Sequence, residues 1–137
     1  MKWSIILAVL LCLVFMGAKT GCSQTNTDIT FTWTAPGDDG DQGTCSQYLI
    51  KYSTNPITEE NWDSAILIVE SSNMTPQAAG SVESLTVTLS LESENTYYFR
   101  LKAADEVPNW STLSNEVEYT VPDIIPPAAV ITFQLEI

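Results

Sequence analysis

Residues Ile29-Thr30-Phe31-Thr32-Trp33-Thr34 alternate between large apolar side chains and threonine. Successive side chains on a strand point to opposite faces, so Ile29, Phe31 and Trp33 share one face and the threonines share the other. The chain then reads Ala35-Pro36-Gly37-Asp38-Asp39-Gly40-Asp41-Gln42-Gly43. Proline removes a backbone donor, and glycine and aspartate favour turns, so this stretch is neither a helix interior nor a central strand. After it, Tyr48, Ile50 and Tyr52 alternate with Leu49 and Lys51. Two half-buried strands joined by an acidic turn, one of them carrying a Trp for the core, predict a two-sheet sandwich.

Working outward, the strands are expected at about 28–35 and 46–53. Asn55-Pro56 breaks the second. Residues 57–63 form a connection in which Trp62 packs on the sheet edge. Ala65 to Val69 is a short apolar run that reads as a third strand, and 71–80 is irregular, punctuated by Pro76 and Gly80. Leu85, Val87 and Leu89 alternate with Thr86 and Thr88. Tyr97, Phe99, Leu101 and Ala103 alternate with Tyr98, Arg100 and Lys102. A last core strand runs within 113–121, through Val117 and Tyr119. Short strands separated by turn signals predict an all-β antiparallel sandwich, and no segment shows a helical period. Pro122, Pro126 and Pro127 mark a stiff linker. Beyond it Ile131, Phe133, Leu135 and Ile137 alternate as one more strand with no partner in sequence.

The chain's 137 residues accommodate one domain plus flanking segments. Ile5 to Met16 is an apolar run behind Met1-Lys2, too short for the roughly 20 residues of a membrane span, and it matches an export signal over residues 1–21. Gly21-Cys22-Ser23 resembles the end of a bacterial lipoprotein signal, with Cys22 as the lipid-bearing residue. Lys19 departs from that pattern, and ordinary cleavage near Ala18 or Thr20 is the alternative. The chain is thus expected to be exported, as an outer-membrane or cell-surface lipoprotein or as a secreted protein. Residues 22–27 read as a tether. A lipidated Cys22 leaves Cys45 single, whereas a free Cys22 could pair with it.

Composition limits the partners. The formal net charge is −12, and after Cys22 the basic residues are Lys51, Arg100 and Lys102, against 17 acidic residues in the chain. Such a surface repels phosphate backbones and anionic lipid, so nucleic acid is excluded and membrane contact is limited to a lipid anchor. There is no histidine. That rules out Ser/His pairs and imidazole metal sites, and the paired carboxylates sit in predicted turns with no sign of a cleft to raise the pKa of one, so no catalytic residue and no cofactor is expected.

Residues 28–122 resemble a fibronectin type III domain. The resemblance rests on Trp33, on Tyr48-x-Ile50-x-Tyr52, and on Leu91-x5-Tyr97-x-Phe99-x-Leu101-x-Ala103. It implies an immunoglobulin-like antiparallel β-sandwich with Trp33, Tyr48, Ile50, Tyr97, Phe99 and Leu101 in the core. It also implies a corner closed by a hydrogen bond between the Tyr97 hydroxyl and nearby backbone. The first edge strand would be shortened, since few residues precede Asp28, and the tail either covers that edge or opens a truncated second module over 123–137. Trp33-Thr34-Ala35-Pro36-Gly37-Asp38-Asp39 and Ala103-Ala104-Asp105-Glu106-x2-Asn109-Trp110-Ser111 look like modules of exported bacterial proteins. The first of these also resembles a module of the calcium-activated chloride channel regulator family, whose protease part has no counterpart in these residues.

In such a sandwich the loops 36–45 and 105–112 lie at one end. They would gather Asp38, Asp39 and Asp41 with Asp105, Glu106, Asn109 and Trp110 as candidate binding loops. Hard oxygens on flexible turns suit calcium, with Asp39-x-Asp41 as a fragment of a ligand set. Trp110 is a candidate contact for a protein or carbohydrate partner. The competing reading has Trp110 folded onto the sheet and the aspartates capping turns. These features together predict a non-catalytic module for adhesion, spacing or accessory binding at a bacterial surface, with a spacer from a larger secreted hydrolase or a calcium-binding module as alternatives.

Overall fold

The computed structural model describes residues 23–136. Six strands form two antiparallel sheets. Strands β1 (Gln24–Thr34) and β4 (Val82–Glu92) make a two-stranded sheet. Strands β2 (Gln47–Ser53), β3 (Ile66–Ile68), β5 (Thr96–Ala104) and β6 (Val117–Thr120) make the other, in the order β3-β2-β5-β6. A single helical turn, α1 (Val69–Ser72), follows β3. The antiparallel sandwich expected from the alternation is the fold.

Register follows the apolar pattern. Ile29 faces Val87 and Phe31 faces Leu85 across β1 and β4, while Ile50 faces Leu101 and Tyr52 faces Phe99 across β2 and β5. The main core contains Ile50, Ile68, Val87, Leu91, Tyr97, Phe99 and Val121. Each such side chain contributes roughly 1.5–3 kcal/mol by leaving water. Of the expected core residues, Tyr48, Ile50, Tyr97 and Phe99 are buried. Trp33 and Leu101 pack against the core from half-buried positions. The corner forms as the resemblance implies: the Glu92 N–H donates to the Tyr97 hydroxyl at 3.0 Å.

Three boundaries differ from the sequence reading. First, β1 begins at Gln24, so residues 24–27 of the expected tether are strand. Their outward polar side chains do not oppose a ladder, and β4 is long enough to pair Gln24 with Glu92 and Thr27 with Leu89. Among the described residues no strand lies on the other edge of β1, where the first edge strand was expected to be short. Second, β6 starts only at Val117. Serine hydroxyls replace the ladder before it: Ser111 Oγ accepts from Ala103 N at 3.1 Å, and Ser114 Oγ accepts from Leu101 N at 3.0 Å. Third, residues 122–136 contain no strand. Alternation alone does not make one, because a strand's backbone needs a hydrogen-bonding neighbour. The signal segment 1–21, Cys22 and Ile137 lie outside the described residues. Among the described residues no helix is long and apolar enough to cross a membrane.

The outer face of the four-stranded sheet carries a cap. Trp62, expected at the sheet edge, is buried there with Ile57 and Ala65 and packs toward Leu49 and Leu113. The Lys51 ammonium sits 4.8 Å and that of Lys102 5.4 Å from the centre of its ring. Lys102 also pairs with Glu59, and Arg100 pairs with Glu116. The three basic side chains of the described residues are therefore all engaged within the molecule.

Candidate binding loops

The connection from β1 to β2 is a tight hairpin of its own. Asp38 N donates to Gln42 O at 2.7 Å, and Gly37 N donates to Gly40 O at 2.9 Å. Gly40 has φ +68°, a conformation side chains resist. At Gly37 an added Cβ would lie 2.2 Å from Gln42 O, so only glycine lets the two arms approach this closely. The segment after α1 supports this loop from below. Ala79 N donates to Gly43 O at 3.0 Å, and Gly80 N donates to Ala35 O at 2.9 Å.

Beneath the loop lies a second small core of Cys45, Tyr48 and Ala103, against which Trp33 and Met74 pack. Trp33 meets Tyr48 edge-on at 5.1 Å. The Tyr48 hydroxyl donates to the Glu83 carboxylate at 3.3 Å, and Gln77 N donates to the same oxygen at 2.6 Å. Glu83 is 2% exposed. Burial, and then the neighbouring Cys45 thiol, push the Tyr48 phenol well above its ordinary pKa. Glu83 was not singled out from the sequence. Extending the β4 alternation back from Leu85 by two positions places it on the inward face, which was the available signal. Cys45 is buried and has no disulfide partner among the described residues, and its suggested partner Cys22 lies outside them.

The loop 105–112 closes against the first as expected. Asp105 organises it: its carboxylate accepts from Asn109 N at 2.8 Å, from Asn109 Nδ2 at 2.6 Å and from Val107 N at 3.0 Å. The bonds from Asn109 hold the Asp105 carboxyl below its ordinary value. Pro36, Gly37, Asp38, Cys45, Asp105, Asn109 and Trp110 line a shared depression of about 270 Å³. Asp38 Oδ1 is buried and has no hydrogen-bond partner among the described residues. Desolvation first, then the Glu106 carboxyl beside it, raise the Asp38 pKa, with Asp39 and Asp105 adding to the effect. The turns were expected to leave their carboxylates unperturbed. Asp38 departs from that because the second loop brings Glu106 to it.

Asp39 and Asp41 lie on the exposed tip of the hairpin, and Asp41 accepts from Gln42 Nε2 at 3.1 Å. Among the described residues no three Asp, Glu, Cys or His side chains converge as a metal-ligand group, so the Asp39-x-Asp41 fragment finds no third acidic ligand. Trp110 is 41% exposed. Its backbone bridges to Ala104, and its side chain stands between the acidic depression and a hollow lined by Leu49, Trp62 and Lys102. The backbone is thus held to the sheet while much of the indole stays open.

The fold and the clustering of its loops define an all-β, immunoglobulin-like sandwich module of the fibronectin type III kind. The chain is similar to segments of calcium-activated chloride channel regulators. It is 32% identical over 109 residues to calcium-activated chloride channel regulator 1 of Equus caballus, covering 76% of this chain and 12% of the relative. It is 32% identical over 104 residues to regulator 1 of Homo sapiens, covering 72% and 11%. It is 34% identical over 102 residues to regulator 2 of Mus musculus, covering 64% and 11%. The chain thus spans about a tenth of the length of the curated relatives it matches. No protein-family model matches the chain. No solved structure matches it.

Proposed function

We propose that this chain is a non-catalytic, exported sandwich module that acts in adhesion, spacing or accessory binding at a bacterial cell surface, through the loops around Trp110. The observation that carries this reading is the loop end itself. Two loops distant in sequence form one acidic depression, with a partly exposed indole on its rim. Aromatic side chains on a rim of this kind are typical anchors for a protein or sugar partner. The similarity to a small segment of much longer proteins supports a modular part over a self-contained enzyme. The bacterial lipoprotein-like Gly21-Cys22-Ser23 supports surface attachment through Cys22.

The test is binding to arrays of surface glycans and of extracellular proteins, with the Trp110→Ala variant as control. Retention that drops by about tenfold or more in the variant supports the reading. Equal retention, or none on any array, contradicts it. Mass spectrometry of the mature N-terminus tests the surface anchor: a diacylglyceryl-modified Cys22 supports it, and a chain beginning before or after an unmodified Cys22 opposes it.

A spacer within a larger secreted hydrolase is the second reading, favoured by the small share of each relative that the chain covers. Reading the coding frame beyond Ile137 separates the two, since a continuing catalytic domain supports the spacer. A calcium-dependent module is the third reading, resting on Asp39-x-Asp41, although among the described residues no three acidic side chains converge as a ligand group. A melting temperature unchanged by millimolar calcium rules it out, because a ligand of the folded state must raise stability.

A further inference from the structure

Among the described residues β1 is paired on one edge only. It runs for 11 residues, and its other edge faces an open trough. Three contiguous hollows of about 120, 350 and 350 Å³ follow that edge from Thr27 to Thr34. Phe31, Trp33, Phe99, Leu101 and Val117 line them. The inward side chains of β1 reach only half-burial for this reason. The buried Trp33 Nε1 has no hydrogen-bond partner among the described residues. An open edge of this length beside an apolar trough is a template for one more strand.

The same chain carries a segment with the matching pattern. In Val130-Ile131-Thr132-Phe133-Gln134-Leu135-Glu136 the apolar side chains Ile131, Phe133 and Leu135 occupy alternate positions. They are 89%, 94% and 85% exposed. In extended form these residues span about 23 Å, enough to cover most of the trough. The apolar face of such a strand would fill the hollows. The backbone N–H and C=O groups along one of its edges would pair with the open edge of β1.

Direction decides whose trough it is. Glu94 N donates to Val121 O and Ser93 N donates to Ser23 O, so the chain leaves β6 at the end of the sandwich where β1 begins. A tail folding back on its own molecule would run parallel to β1, after a reversal through Pro122, Pro126 and Pro127. A tail running outward can enter a second copy antiparallel, as every strand pair in this sandwich is arranged.

We propose that residues 130–136 of one copy supply the missing edge strand beside β1 of a second copy, joining molecules head to tail through strand donation. Each copy then has one tail to give and one trough to fill, so the contact is heterologous and extends into chains unless it closes into a ring.

The experiment compares the full-length chain with its Phe133→Glu variant by sedimentation velocity over a range of micromolar concentrations. Both proteins share residues 1–22, so a difference in assembly comes from the tail. The full-length chain should form concentration-dependent oligomers, and Phe133→Glu should weaken them by about tenfold or more. Identical assembly of the two, or monomers only, overturns the proposal. A photo-crosslinking residue in place of Phe133, in an unlabelled chain mixed with a heavy-isotope chain, then locates the contact. Crosslinks between light and heavy chains at residues 27–34 or 117–119 support it. Crosslinks confined to one chain, crosslinks to residues 1–22, or none, overturn it.

Discussion

Strands β1 and β2 of this sandwich share an alternating sequence pattern yet bury it to different depths. In the four-stranded sheet, β2 lies between β3 and β5, and Tyr48 and Ile50 are 0% and 2% exposed. In the two-stranded sheet, every inward position of β1 is only half-buried. The residues are no less apolar: Ile29, Phe31 and Trp33 rival anything on β2. What differs is the surroundings. Strand β2 is flanked on both edges and capped on the outer face by Trp62. Strand β1 has β4 on one side and, among the described residues, no strand on the other, where hollows lie against Phe31 and Trp33. Strand β4 is also paired on one edge only, yet it buries Val87 and Leu91 in the main core. Depth of burial thus follows from what packs over each side chain more than from the strand's own composition.

That contrast can be broken at its strongest point first. Ile50→Ala should lower the unfolding free energy by about 2–5 kcal/mol, because it opens a cavity between two paired neighbours. Phe31→Ala on β1 should cost roughly half as much, since part of its surface is already wet. Urea titration of both variants checks this, and equal losses would remove the distinction between the two strands. Next in size, Trp62→Ala should cost about 3 kcal/mol, although the residue lies in a loop connection. Trp110→Ala should change stability by no more than about 0.5 kcal/mol. A reversed order would show that the outer cap is not part of the core.

A smaller effect is expected at the corner. Tyr97→Phe leaves the Glu92 N–H without its acceptor, at a cost of about 1–2 kcal/mol, readable in the same titrations. The smallest effects concern the binding loops and their pH dependence. Asp105 has a lowered pKa in the fold, so its contribution is present above its ordinary value of 3.8 and is lost as pH falls through the folded value. Asp38 has a raised pKa, so the opposite sign applies: the fold gains stability as pH falls through that raised value. Asp38→Asn should therefore raise the melting temperature near neutral pH and have no such benefit in acid below 3.8. A melting-temperature gain that persists in acid would assign the effect to something other than charge.

Much of the fold is legible in the sequence, because strand alternation is a local signal. Ile29 to Trp33, Tyr48 to Tyr52, Leu85 to Leu89 and Tyr97 to Ala103 all form strands where the pattern places them. The meeting of loops 36–45 and 105–112 is legible too, since topology alone brings them together. Side chains acting as substitutes for backbone partners are harder to read. Ser71 Oγ accepts from Ile50 N at 2.9 Å where β3 has ended, and Ser111 and Ser114 do the same along β5. A serine in a polar run gives no hint that it completes a ladder. Glu83 is hidden for a related reason: its charge reads as surface, and only the Tyr48 and Gln77 donors make its burial tolerable. The tail errs in the other direction. Residues 130–136 have a strand's pattern, but pattern states what a segment can bury and not whether a neighbour is there.

The most direct test is residue-resolved amide hydrogen exchange on the dilute monomer. With β1 at an open edge, every second amide from Gln24 to Thr34 should exchange fast, while β2 and β5 are protected along both edges. Uninterrupted protection along β1 in the monomer would mean that its second edge is already occupied and would contradict this account.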